Sequence, residues 1–95
     1  MIAKVITKYR VVPDEPISFD KYGKRMRIDF CEVNVLDGSL GAEVLVFAHY
    51  VNKNGERRKN AYTMEVYSWE PEVEAAKHFA RIEVKAHLAL SSVAV

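Results

Sequence analysis

With Cys31 as its single cysteine, the 95-residue chain can close no internal disulfide, which points to a reducing compartment. Its four glycines, Gly23, Gly38, Gly41 and Gly55, are scattered and fit neither a P-loop nor a dinucleotide-binding pattern. No apolar run approaches the roughly 20 residues that span a bilayer. Residues 1–12 alternate apolar and charged side chains and lack the continuous apolar stretch of a signal peptide. A cytoplasmic location without membrane association is therefore expected. Neither sign of charge dominates: 14 Lys/Arg against 13 Asp/Glu leaves +1, unlike a dedicated polyanion binder. The charge is uneven, +3 over residues 1–60 and −2 over residues 61–95.

Clustered chemistry is also scarce. His78 and His87 are nine residues apart and point to roughly opposite sides of a helix, while His49 lies on a strand. Zinc needs three or four converging ligands, so no metal and no cofactor are expected. Cys31 pairs with a base only if His49 lies across a neighbouring strand, and its apolar surroundings favour an inert thiol. No catalytic residue is assigned, and an enzyme is not expected.

What is present is a globular pattern, with 49% hydrophobic and 28% charged residues, enough for one domain over residues 1–95 and too apolar for disorder. Alternating β-branched residues predict strands over 2–12, 24–36, 42–51 and 57–68. The motif Pro13-Asp14-Glu15-Pro16 breaks the first strand, and residues 17–23 read as a loop. Asp37-Gly38 forms a turn that Leu40-Gly41 lengthens. In the second strand the apolar set changes face near Phe30–Cys31, which requires a bulge or cover on both sides. Asn54-Gly55 reads as a two-residue type I′ turn, pairing Phe47 with Tyr62 and Leu45 with Met64.

Residues 70–90 predict a helix, with Pro71 in its first turn and Glu70, Glu72 and Glu74 at the positive end of its dipole. The fold class is therefore α+β: a four-stranded antiparallel sheet followed by one C-terminal helix packed on one face. That layout resembles single-strand-binding transcription cofactors of the Whirly kind, which also dimerise. The resemblance is one of element order and carries no residues over.

The turn register places Leu45, Phe47, Tyr62, Met64 and Val66 with Met26, Ile28 and Phe30 on a core face. It leaves Val44, Val46, Ala48, Tyr50 and Tyr67 on a second face too apolar for water. The helix carries a wide apolar arc that also contains Glu83 and His87, four apart and so neighbours. These seven residues form the expected protein interface of a non-enzymatic binding module. Such a module self-associates as a homodimer or serves as adaptor, regulator or inhibitor of a larger protein. A chain this short also suits an accessory or phage-type regulator. The alternative is a single-stranded nucleic-acid binder using Arg25, Arg27, Tyr50, Lys53, Arg57, Arg58 and Lys59, whose cations track phosphates while tyrosine stacks on bases.

Overall fold

The long strand β3, Lys24–Leu36, organises the sheet. The computed structural model describes residues 4–37 and 41–93. One edge of β3 is shared by two short strands, β1 (Val5–Val11) opposite Cys31–Leu36 and β2 (Ser18–Lys21) opposite Lys24–Arg27. The break between them falls at the expected proline-flanked segment. On its other edge β3 pairs with β4 (Ala42–Tyr50), and β4 pairs with the three-residue β5 (Met64–Val66). All pairings are antiparallel, and helix α1, Pro71–Val93, packs on one face. The expected α+β architecture is present, with one strand more than anticipated. Residues 2 and 3 of the expected first strand, and Gly38 and Leu40 of the expected turn, lie outside the described residues.

The extra strand rests on a turn within residues 17–23, where the sequence predicts a loop. Lys21 pairs with Lys24, and Tyr22 and Gly23 between them have φ of 54° and 71°. Two consecutive positive φ values make a type I′ turn, whose twist matches that of the flanking strands. Tyrosine is an unusual first residue there, because a side chain in the left-handed region costs about 1 kcal/mol that Asn largely avoids. Tyr22→Asn should therefore stabilise the fold by about 1 kcal/mol in urea denaturation. An unchanged or lower midpoint would contradict the assigned turn.

The Asn54-Gly55 turn differs from the expectation. Gly55 has φ 78°, but Asn54 does not enter the left-handed region. Asn52 closes the loop instead: its Oδ1 accepts from the Asn54 and Glu56 amides at 2.9 and 3.0 Å, and its carbonyl accepts from Gly55 N at 3.0 Å. This is a three-residue loop with glycine at the bulge position. Val51 then bridges Arg57, residues 58–63 leave the ladder, and pairing resumes with Ala48 opposite Met64. The predicted fourth strand over 57–68 is thereby reduced to Met64–Val66, and Phe47 pairs with Glu65 instead of Tyr62.

The expected bulge in β3 is present, with Asp29 inserted between Ile28, opposite Ala48, and Phe30, opposite Phe47. With the altered hairpin register it exchanges the predicted faces of β4 and moves Phe30 out of the core, while Met26, Ile28 and Val66 stay in it. Met26, Ile28, Cys31 and Val33 share one face with Val44, Val46, Ala48 and Val66, and all are buried beneath the helix. The helix contributes Val73, Ala76, Ala80 and Val84, spaced as one stripe. Small side chains on both sides allow close approach, so Cys31 Sγ reaches the Ala76 carbonyl at 3.7 Å. Val44, Val46 and Ala48 are therefore core residues, contrary to the expected interface. Phe30, Leu45 and Phe47, expected in the core, lie by register on the face away from the helix and are half-buried.

Candidate nucleic-acid interface

Pairing of Lys21 with Lys24 and bridging of Val51 with Arg57 bring two hairpin turns to the same end of the sheet, where Val51 N donates to Arg25 O. The segments that build this end, residues 18–29 and 50–62, hold eight Lys/Arg against three Asp/Glu, a balance of +5. The rest of the chain balances to −4. A net charge near zero thus conceals a molecule with a strongly basic pole.

Two open clefts adjoin at this pole and share Arg58. One, of about 380 Å³, is lined by Lys24, Arg25, Lys53, Arg58 and Asp20 among others. The other, of about 350 Å³, is lined by Tyr50, Arg58, Lys59, Asn60 and Tyr62 among others. The half-buried Tyr50 ring packs against the core and has Lys24 Nζ 5.3 Å and the Arg58 guanidinium carbon 5.5 Å from its centroid. Tyr62 and Tyr22 are 69% and 85% exposed, so both rings are available for stacking. Lys21 ties a third aromatic segment to this hairpin by donating to the Tyr67 carbonyl at 2.7 Å; it precedes Trp69, which is 90% exposed.

The predicted nucleic-acid residues divide into two groups. Arg25, Tyr50, Lys53, Arg58 and Lys59 line the clefts, although Arg25 also holds Asp20 at 3.2 Å and Arg58 Nε donates to Val51 O at 3.3 Å. Arg27 and Arg57 are engaged by neighbouring groups of the chain instead. Arg27 donates to Gly55 O at 3.1 Å, and Arg57 donates to Ala61 O and Thr63 Oγ1 at 3.3 Å each. Both frame a small polar cluster around Asp29, the bulge residue. Asp29 accepts from Thr63 Oγ1 and from His49 Nδ1, each at 2.6 Å, and Arg57 Nη1 lies 3.8 Å away. His49 is buried, and its Nε2 faces Arg27 at 3.5 Å. The cluster fastens the irregular 58–63 segment to the bulge, satisfying polar groups that would be costly to bury alone.

The remaining expected interface residues are dispersed. Tyr67 is exposed, and its hydroxyl donates to Glu65 at 2.6 Å, which raises the phenol pKa because the adjacent carboxylate disfavours the phenolate. Glu83 and His87 are exposed on the helix, with the His87 ring edge-on to Tyr9 at 5.4 Å. They do not join Tyr50 in one surface. Cys31 is buried, and burial pushes its thiol pKa up, partly offset by Lys77. A raised pKa means less thiolate at any given pH. In mildly alkaline buffer the folded protein should therefore label with a thiol reagent only as fast as it opens. Labelling at the rate of the urea-unfolded chain would contradict this.

Tyr22, Lys24 and Trp69 complete the pole without a sequence expectation attached to them, and Tyr62, expected in the core opposite Phe47, lies exposed there instead. Tyr22-Gly23 between two lysines was the available signal for the first pair of residues. Among the described residues no three His, Cys, Asp or Glu converge as metal ligands, and no helix is long and apolar enough to cross a membrane. No known protein family, curated protein or solved structure matches the chain.

Proposed function

We propose that the protein binds single-stranded nucleic acid at its basic pole. The observation that carries this reading is the +5 pole, in which Tyr22, Tyr50 and Tyr62 stand among Lys24, Arg25, Lys53, Arg58 and Lys59. Cations in an open cleft follow a phosphate backbone, and exposed tyrosines offer π-faces to unpaired bases of any sequence. A duplex hides those faces, which favours the single strand. Tyr22 adds support: an exposed aromatic kept in a strained turn position is better explained by a contact than by folding.

The displaced reading, a protein interface centred on Val44, Val46 and Ala48, loses its surface to the core. The test is an anisotropy titration of labelled single-stranded and duplex oligonucleotides over a range of salt. Five cleft cations predict a log–log salt slope of about −3.5 for the single strand, from roughly 0.7 per phosphate. Tighter binding to the single strand is expected. Absence of binding at low salt, or equal affinity for the duplex, would reject the reading.

A further inference from the structure

The sheet face opposite the helix has its own pattern, independent of the basic pole. At its centre Phe30 and Phe47 are directly paired across β3 and β4 and stacked, with centroids 4.9 Å apart, and Leu45 lies beside them. All three are half-buried, and among the described residues no helix or strand packs over them. Charge is graded across the strands. The β1 edge carries Lys8 and Arg10, and the Arg10 guanidinium lies 4.0 Å over the Phe30 ring. Glu43 on β4 and Glu65 on β5 face the same way at the other side. Glu32, on β3 between the two edges, faces the same way beside the aromatic pair and holds Lys8 at 3.7 Å, so the gradient rests on Arg10 at one edge against Glu43 and Glu65 at the other.

We infer that this face receives a second copy of the chain, related by a two-fold axis running parallel to the strands between β3 and β4. That axis sets β1 of one copy over β5 of the other, so Arg10 meets the partner subunit's Glu65, and it sets Phe30 over the partner's Phe47. A two-fold axis across the strands would instead oppose β1 to β1 and β5 to β5, stacking like charges. Charge complementarity therefore selects both the occupant and the axis. The contact is isologous and buries the aromatic centre, while charged side chains remain at the rim.

The chosen axis preserves direction along the strands, so the two basic poles emerge side by side at the same end. A strand of nucleic acid laid across both would gain from two linked sites. Only this last consequence rests on the nucleic-acid reading; the dimer itself does not.

Sedimentation velocity on the full chain, without oligonucleotide, tests the pairing. A concentration-dependent dimer is expected. Phe47→Lys should weaken it by at least about tenfold, as loss of a central anchor does. Arg10→Glu and Glu65→Arg should each weaken it by about tenfold, and the double variant should recover most of that loss. Glu65 is partly exposed, so its substitution is informative even if Phe47→Lys impairs folding. A monomer at all concentrations, a dimer indifferent to Phe47→Lys and the charge substitutions, or a double variant no better than the singles would each overturn the proposal. So would a chain that stays monomeric while it forms a defined complex with a different protein. Because no nucleic acid is present, failure here leaves the oligonucleotide titration to be judged separately.

Discussion

Met26→Ala should lower stability by about 3 kcal/mol, and Leu45→Ala by less than about 1 kcal/mol. Met26 is 1% exposed against the helix, where truncation removes an apolar side chain and leaves a cavity. Leu45 lies on the opposite face and is half-solvated, so less surface returns to water and the gap can fill. In a domain of this size the Met26 variant should melt about 15 °C lower. The pair discriminates between the two assignments of faces. The hairpin register read from Asn54-Gly55 places both residues in the core and predicts two large losses. Thermal melts followed by circular dichroism decide between them; comparable losses would sink the present assignment.

The second large effect concerns the basic pole. Replacing Lys53, Arg58 and Lys59 with alanine should weaken single-strand binding about 100-fold at 0.1 M salt and hardly at all near 1 M, because about two of the counterions released on binding are lost. Tyr62→Ala should behave differently, weakening binding about tenfold at every salt concentration, since stacking does not depend on counterion release. These two signatures separate phosphate contacts from base contacts. A triple variant with unchanged affinity at low salt would place the binding elsewhere on the molecule.

The sequence pattern carries much of this fold, and its failures have local causes. The change of apolar face at Phe30–Cys31 announced the β3 bulge, because a period of two cannot otherwise move its hydrophobic set to the other side. The Pro71 start of the helix and the central strand around Val44–Ala48 follow from first-turn proline and hydrophobic density. The hairpin register did not follow, because Asn52 offers a side-chain cap that competes with Asn54-Gly55. The register there moves by three residues, an odd number, so β4 turns over relative to β5, and Leu45 and Phe47 exchange places with Val44, Val46 and Ala48. The strand β2 was hidden by its length of four residues and by a turn that begins with tyrosine.

The candidate site was legible in part. Lys53, Arg58 and Lys59 stand out as a basic run, but Arg57 within it and Arg27 on β3 are engaged by the Asp29 cluster and the neighbouring loop. Sequence cannot separate these roles, because alternate residues of an irregular segment point wherever local hydrogen bonds lead them. Lys24 and Tyr22 join the pole only because the β2–β3 hairpin ends where the β4–β5 connection begins. The near-zero net charge misled in the same way. It averages a +5 pole against a −4 remainder that folding separates in space.

The most direct test is to map amide and side-chain chemical shifts on titration with a short single-stranded oligonucleotide. The perturbed residues should be those of the pole, namely Tyr22, Lys24, Tyr50, Lys53, Arg58, Lys59 and Tyr62, with the outer helix surface unaffected. Shifts confined to the helix or to the Phe30–Phe47 face, or none at saturating oligonucleotide, would contradict the assignment.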